Sequence, residues 1–498
     1  MLLPILVPLL LAFQAPRAVI HPVAHAKAAR SAALISAIRL AAPSELQKLV
    51  ADLSAKLARA MHSGRWGVLV VSLSHGDTLF GRNADDQLLP ASTMKLFTSA
   101  VALDRFGPDA RFKTEVLRAG VLDADGVLRG DLVLKGAGDP TLTGTTGDDA
   151  IEPPMDALAR QIADAGVRRV SGAIVGDASA FEHRYVPDGW LTRYLRASYA
   201  ARVSALSFNE NRITVVVQPA GRRADVSFEP AVSGVPLSNE VKVVSGSRGA
   251  RLGVREDSTG RLYVTGWIGS GSRARGYAMN VEHPELFAAG ALRAALIARG
   301  VTVDGPVVAA TAPDDAVPIA ELSSPTLQKI ITQMNVHSNN HFAELLFRNA
   351  ARDVGVAGSA ENANTLLRRF LFEKANVEPT VVFAADGSGL STLDRVTPRS
   401  MVQLLDFARH ATWGPALEQS LPVAGETETL RRRMRGTAAR GNLHAKTGST
   451  SEVASLGGYV TAKNGEQLAF SFIYNGKDRF RAKEAMDAMG ATLASFSR

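Results

Sequence analysis

The sequence contains no cysteine among its 498 residues. Disulfide bonds, cysteine nucleophiles and cysteine-ligated metal sites are therefore excluded. Aromatic residues make up only 6% of the chain, and no basic stripe interleaved with aromatics, as nucleic-acid-binding modules carry, is present. The net charge of +8 comes from scattered residues, apart from Arg431-Arg432-Arg433. We predict no nucleic-acid partner and a solvated basic surface, with weak attraction to an anionic cell envelope as the alternative.

Long apolar runs are also missing, except at the N-terminus. Residues 1–13 are almost wholly apolar, and a stretch of small residues ending in Ala24-His25-Ala26 follows. This pattern predicts a secretory signal peptide over residues 1–26, and hence a periplasmic or other extracytoplasmic location. The alternative is an N-terminal membrane anchor, but the run is short for a bilayer span and contains two prolines. We therefore expect at most peripheral membrane association.

The remaining chain has the composition of a globular protein, with 46% hydrophobic and 21% charged residues. Its helices are predicted by periodicity and capping residues at 44–62, 92–106, 153–165, 284–299, 326–348, 362–376, 398–410 and 478–497. Strands are predicted at 66–72 and in a meander from 441 to 474, whereas the block from about 112 to 308 consists mostly of strands and turns. The two ends could therefore form one α/β body that a β-rich block interrupts.

The first chemical motif is Ser92-Thr93-Met94-Lys95, at the start of a predicted helix. A serine and a lysine three positions apart lie on one helix face, where the helix start favours developing negative charge. The helix is very apolar, so burial should lower the pKa of Lys95 and favour a neutral amine that takes the proton of Ser92. The alternative is a lysine that extends from a core helix to the surface.

The second motif is Ser338-Asn339-Asn340, which follows an amphipathic stretch. The Ser338 hydroxyl could relay a proton to a departing amine, and the Asn340 amide could hold a peptide group of a substrate. The alternative is a turn or helix-end cluster, because serine and asparagine are common capping residues.

The third motif is Lys446-Thr447-Gly448, on a predicted strand between apolar neighbours. The lysine and the threonine hydroxyl could bind a carboxylate, and Gly448 would let a ligand backbone approach the strand. A strand that runs into a turn is the alternative. Taken together and in order, the three motifs indicate a serine acyl-transfer enzyme with lysine as base.

The three motifs resemble those of the penicillin-recognising serine enzymes. Lys95 and Ser338 are 243 positions apart (338 − 95), and such a long gap is similar to that of the class C low-molecular-mass penicillin-binding proteins, the D-alanyl-D-alanine carboxypeptidase/endopeptidase family. The likeness extends from Ser44 to the C-terminus. Further stretches that match this family lie at 130–132, 138–142, 205–209, 334–344, 386–391 and 420–422.

This resemblance implies an α/β fold with a serine transpeptidase/β-lactamase-like domain, in which helices flank an antiparallel sheet. Two nested β-rich inserted domains interrupt it. The transpeptidase-like domain is placed at 44–111 and 318–498, inserted domain II at 112–136 and 218–317, and inserted domain III at 137–217.

The resemblance also implies a mechanism. Ser92 would attack the carbonyl between two D-alanines at the end of a peptidoglycan stem peptide, with Lys95 as base. The backbone N–H groups of Ser92 and Ser449 would form an oxyanion hole. Water would then hydrolyse the acyl-enzyme, so no metal or other cofactor is implied. β-Lactams would acylate Ser92 as substrate mimics.

Other residues would handle the leaving group and the substrate. Ser338 and Lys446 would assist proton transfer to the departing D-alanine, and Asn340 would orient the substrate. Thr447 and Lys446, next to Gly448, would hold the terminal carboxylate.

The sequence departs from the family pattern at Thr392, where arginine is usual after the stretch 386–391. The nearest arginine is Arg395. In relatives this arginine helps to read the stem-peptide side chain together with an aspartate of an inserted domain, which we place at Asp177. Two alternatives to a carboxypeptidase/endopeptidase stay open: a β-lactamase-like hydrolase and a non-catalytic envelope-binding pseudoenzyme.

Overall fold

The computed structural model describes residues 44–60, 64–143, 152–352 and 356–498. The predicted signal peptide lies outside these ranges. In the described part of the chain, no helix is both long and apolar enough to cross a membrane.

The helices follow the predicted segments closely, with one short additional helix near residue 415. They are α1 (Ser44–Ala60), α2 (Met94–Phe106), α3 (Pro154–Asp164), α4 (Pro284–Ala298), α5 (Leu327–His337), α6 (Asn340–Ala351), α7 (Ala360–Ala375), α8 (Pro398–His410), α9 (Gly414–Gln419) and α10 (Arg479–Ser495).

The strands are concentrated at the two ends of the chain and in the long central block. They are β1 (Arg65–Ser72), β2 (Thr78–Arg82), β3 (Lys113–Leu122), β4 (Val127–Lys135), β5 (Arg169–Val170), β6 (Ile174–Asp177), β7 (Arg212–Ala220), β8 (Arg223–Glu229), β9 (Leu237–Val244), β10 (Ala250–Glu256), β11 (Leu262–Gly269), β12 (Arg275–Asn280), β13 (Thr302–Val303), β14 (Val307–Ala309), β15 (Val317–Ser323), β16 (His444–Ser449), β17 (Val453–Thr461) and β18 (Gln467–Asn475).

A five-stranded sheet joins the two ends of the chain in the order β16-β17-β18-β1-β2. Its paired strands are all antiparallel. Leucines and methionines of α1 and α10 pack with one face of the sheet, whereas α8 and α2 cover the other and α6 packs against α2. Both faces are therefore shielded from water, which explains why β17 is buried at every residue except its last. The predicted α/β fold class is confirmed.

The central block contains two further sheets. A seven-stranded sheet has the order β13-β5-β4-β3-β15, with β6 paired to β4 and β14 paired to β6, and α3 and α4 pack on it. A six-stranded sheet has the order β10-β11-β9-β8-β7-β12 and a small apolar core of its own.

Strand pairing does not follow the predicted division between segments 112–136 and 137–217. β6 lies in the second segment but pairs in parallel with β4 of the first, through Leu132 opposite Ile174. The limits of the inserted domains stay a prediction.

The stretch predicted as helical from Thr326 to Arg348 is divided into α5 and α6. Ser338 ends α5 in the left-handed region, with φ of 55°, and the Asn339 side chain caps α6 by accepting a hydrogen bond from Phe342 N. This break changes the direction of the chain between Ser338 and Asn340, two residues of the second motif.

Candidate active site

Ser92 lies in a short 3-10 turn, Ala91–Thr93, directly before α2. The helix thus begins two residues later than predicted. Ala91 has a φ of 48°, which is uncommon for a residue with a side chain, and Gly389 packs against its carbonyl so closely that a Cβ there would overlap it. The half-buried Ser92 is therefore held at the helix start by the neighbouring loop.

Lys95 is fully buried and donates three hydrogen bonds from Nζ. The acceptors are Ser92 Oγ at 3.1 Å, Asn340 Oδ1 at 2.7 Å and the backbone oxygen of Ser388 at 2.8 Å. An ammonium group has three donors, so the contacts satisfy it completely and fix its position beside the serine.

Two opposing effects set the pKa of Lys95. Burial lowers it, the negative charges of Asp386, Glu344 and Asp394 oppose this shift, and the resulting pKa of Lys95 is about 7. A substantial fraction of the amine is therefore neutral near pH 7 and able to accept a proton.

A second serine–lysine pair lies where β16 meets the break between α5 and α6. Lys446 Nζ donates to Ser338 Oγ at 2.9 Å and to the backbone oxygen of Thr447 at 2.9 Å. Lys446 is fully buried, and burial together with the charge of Lys95 holds its pKa well below the usual value. This lysine is therefore suited to pass on a proton through Ser338.

Asn340 connects Lys95 to the central block. Its Oδ1 accepts from Lys95, while its Nδ2 donates to the backbone oxygen of Tyr199 at 2.9 Å. These two contacts fix which end of the amide faces the lysine.

The strand β16 runs past the 3-10 turn of Ser92. A Cβ at Gly448 would lie 3.0 Å from Ser92 N and 2.8 Å from Pro90 O, so only glycine allows this approach. Thr447 is half-buried and Ser449 is exposed, so the strand end remains open to a ligand.

Comparison with known proteins identifies this arrangement. The family model described as D-Ala-D-Ala carboxypeptidase 3 (S13) matches residues 46–496. The chain belongs to this family. The predicted family is confirmed, and with it the class of enzyme, a serine-type carboxypeptidase.

Individual S13 relatives match over most of their length. The chain is 34% identical over 475 residues to a D-alanyl-D-alanine carboxypeptidase of Actinomadura sp. (strain R39), covering 92% of this chain and 86% of that protein. It is 24% identical to the D-alanyl-D-alanine carboxypeptidase DacB of Haemophilus influenzae, covering 86% and 88%. Penicillin binding protein 4 from Haemophilus influenzae has the same fold, with a TM-score of 0.72, 23% identity and coverage of 87% and 98%.

Two residues assigned to substrate recognition, Asp177 and Arg395, make no contact that the structure describes with the serines and lysines of the three motifs. The buried Asp177 accepts from Ser179 N at 2.8 Å and from Ala312 N at 2.9 Å, both close to its own sheet. Arg395 donates to the backbone oxygens of Thr392 and Asp394. The role of Asp177 and Arg395 in recognising the stem-peptide side chain stays a prediction.

Residues 386–391 match the family pattern, but no role for them was predicted from the sequence. In the structure this stretch contacts Lys95 through the backbone oxygen of Ser388. Asp386 accepts hydrogen bonds from Trp190 Nε1, Ser388 N, Ser388 Oγ, Gly389 N and Ser391 N. Glu344 accepts from Gly387 N and Ser388 N, and it forms a buried ion pair with Arg348 at 2.9 Å. A glutamate within the apolar helix α6 was the signal in the sequence that could have revealed this network.

Burial also changes the carboxylates around Lys95. It raises the pKa of Glu344 to about 7, and it raises the pKa of Asp394 well above the usual value, with the charge of Asp386 acting in the same direction. The three acids therefore share fewer than three negative charges near neutral pH.

Proposed function

We propose that this chain hydrolyses the peptide bond between two terminal D-alanines of peptidoglycan stem peptides through an acyl-enzyme on Ser92. The observation that carries the proposal is Lys95 Nζ at 3.1 Å from Ser92 Oγ, with the pKa of Lys95 lowered to about 7. A base with a pKa near the working pH is the most effective partner for a serine nucleophile.

In the first step the neutral amine of Lys95 takes the proton of Ser92 as Oγ bonds to the carbonyl carbon. Negative charge then develops on the carbonyl oxygen, which the backbone N–H groups of Ser92 and Ser449 would bind. The close approach of β16 at Gly448 supports this assignment, because it places the strand end beside the backbone of Ser92.

In the second step the bond between the carbonyl carbon and the D-alanine nitrogen breaks. The Ser338–Lys446 pair delivers the proton that the leaving amine requires, and Asn340 orients the peptide group. Thr447 and Lys446 bind the terminal carboxylate, whose negative charge raises the pKa of Lys446 once the substrate is present. The proton that Lys95 took from Ser92 replaces the one that the Ser338–Lys446 pair gave to the leaving amine. Water then attacks the acyl carbon and gives a proton to Lys95, which passes it to Ser92 Oγ as the ester bond breaks, so that the free enzyme is restored.

The same step makes β-lactams acylating agents, since their strained amide bond would open on Ser92 without losing a fragment. An extracytoplasmic location follows from this substrate, and the S13 relatives with carboxypeptidase names support it. An endopeptidase activity on cross-linked stem peptides would use the same atoms.

The test combines two measurements on the wild type and on Ser92→Ala. Labelled penicillin should form a long-lived adduct with the wild type only, and a peptide ending in D-alanyl-D-alanine should release D-alanine in the wild type only. A wild type that forms no adduct and releases no D-alanine would falsify the proposal. Rapid turnover of penicillin would instead identify a β-lactamase-like hydrolase.

A further inference from the structure

Two neighbouring residues of the second motif make side-chain contacts with the central block. Asn340 donates to the backbone oxygen of Tyr199, and Asn339 Nδ2 donates to Glu210 Oε1 at 2.9 Å. Neither Asn339 nor Glu210 belongs to the catalytic cluster described above. Both are half-buried and therefore partly screened from water.

The orientation of the Asn339 amide is fixed by the helix that follows. Its Oδ1 accepts from Phe342 N at 3.2 Å and so caps α6. The Nδ2 group must therefore point the other way, where the carboxylate of Glu210 receives it. The Asn339 side chain thus connects the start of α6 to the central block.

Glu210 occupies an unusual backbone position. It is the middle one of three successive left-handed residues, Asn209, Glu210 and Asn211, with φ of 51°, 53° and 55°. Asparagine tolerates this region because its short side chain bonds locally, and here Asn211 Nδ2 donates to Arg202 O and Ser207 Oγ. Glutamate has no such advantage, so backbone preference does not account for its presence.

The opposite side of this contact is also strained. Ser338, directly before Asn339, is left-handed with φ of 55°. Its side chain must nevertheless reach Lys446, while Asn340, two residues later, must reach Lys95. Residues in costly backbone conformations persist when surrounding contacts hold them, and they concentrate at functional sites.

We propose that Glu210 is a positioning residue for acyl transfer, which holds the Ser338–Asn340 turn in its reactive geometry through Asn339. The proposal rests on the proposed function. Glu210 does not touch the reacting atoms; it supplies the acceptor for Asn339 Nδ2, and without that acceptor the Ser338–Asn340 turn loses this anchor to the central block.

The decisive experiment exchanges the hydrogen-bond donor and the acceptor between positions 339 and 210. In Asn339→Asp the cap on α6 is kept, because aspartate accepts from Phe342 N equally well, but two carboxylates then face each other. Acylation of Ser92 by labelled penicillin should become slower by roughly tenfold to a hundredfold. Adding Glu210→Gln gives the pair a donor again at unchanged net charge, and the double variant should return to within about threefold of the wild type.

Two single variants separate a hydrogen bond from a general charge effect. Glu210→Gln keeps an acceptor for Asn339 and should acylate at about the wild-type rate, whereas Glu210→Ala removes it and should be slower by about tenfold. Glu240→Gln, at an exposed position on β9, is the matched control for the lost charge. The melting temperature of every variant is measured in parallel, because a merely structural role would lower stability without the predicted pattern of rates.

Equal rates in Asn339→Asp and the wild type would overturn the inference, as would a double variant that stays as slow as Asn339→Asp. Equal rates in Glu210→Ala and Glu210→Gln would overturn it as well. Failure of the proposed function would have a different result, namely a wild type that penicillin does not acylate.

Discussion

The site contains two serine–lysine pairs, Ser92 with Lys95 and Ser338 with Lys446. The two Nζ–Oγ distances are 3.1 Å and 2.9 Å, and both lysines are fully buried. Burial lowers the pKa of each. Charge acts in opposite directions, because carboxylates raise the pKa of Lys95, whereas the positive charge of Lys95 lowers the pKa of Lys446.

The difference shows that similar geometry does not give two lysines the same chemistry. Lys95 exchanges a proton near pH 7, as a base must. Burial and the charge of Lys95 hold the pKa of Lys446 well below its usual value, and no carboxylate in the described part of the chain opposes that shift. The carboxylates near Lys95, more than the distance to the serine, account for the difference between the two pKa values, and this difference matches the proposed roles of base and proton relay.

The largest expected effect is on the first pair. We predict that Lys95→Arg lowers the rate of acylation by about a thousandfold or more, because guanidinium does not lose its proton in the physiological range. Labelled-penicillin kinetics measure it, with Lys374→Arg at an exposed ion pair as the matched control. Near-normal acylation in Lys95→Arg would refute the role of Lys95 as base.

Loss of the second pair, Ser338 with Lys446, should lower the rate of acylation less than loss of the first. We predict that Ser338→Ala lowers acylation by about a hundredfold, because proton delivery to the leaving group is lost while the base remains. Its pH profile should keep the acidic limb of the wild type, since Lys95 is unchanged. Ser258→Ala, at an exposed turn, serves as control. A loss as large as that of Lys95→Arg would mean that the two pairs are not distinct in function.

Removing one of the carboxylates around Lys95 should move the pKa of Lys95 in the direction of that of Lys446. Glu344→Gln removes a charge that raises the pKa of Lys95, and so lowers that pKa. Because the neutral amine is the active form and its fraction rises with pH, the acidic limb of the acylation profile should move to lower pH by about half a unit to one unit. A limb that moves to higher pH, or not at all, would contradict this account.

The same substitution also affects stability, because it leaves Arg348 buried without its ion partner. We expect the free energy of unfolding to fall by about 3 kcal/mol, measured by denaturant unfolding. Glu361→Gln, exposed in the first turn of α7, should change neither the profile nor the stability.

The smallest effect is expected at Asp394. Burial and the charge of Asp386 raise the pKa of Asp394 well above its usual value, and the charge of Asp394 affects the pKa of Lys95 less than that of Glu344 does. Asparagine imitates the protonated acid, because its oxygen can accept from Ala385 N and its amide can donate to Asp386. Asp394→Asn should therefore shift the acidic limb less than Glu344→Gln does. A larger shift would show that Asp394 holds the decisive charge.

The parts of the molecule that local patterns specify were predictable from the sequence. Periodicity predicted the helices and the terminal meander, and the five-stranded sheet joins the segments expected to meet. Ser92 and Lys95 are three positions apart on one helix face, so their contact is local. The roles assigned to the motif residues remain proposals.

What could not be predicted depends on pairing between distant segments. Ser388 O reaches Lys95 across 293 positions, and no pattern near either residue indicates this. The parallel pairing of β6 with β4 is equally non-local, which is why the predicted limits of the inserted domains and the strand pairing differ. The left-handed Ser338 was not foreseen, since its conformation is stabilised by tertiary contacts rather than by its own preference.

The contacts of Lys95 have a practical consequence for anyone who prepares this protein. Its Nζ group binds Asn340 and Ser388, which are 245 and 293 positions away. A partly folded or truncated molecule would lack at least one of these partners and, with it, a base of the right pKa. Stoichiometric labelling by penicillin would therefore count natively folded molecules, so that a single titration could measure refolding yield.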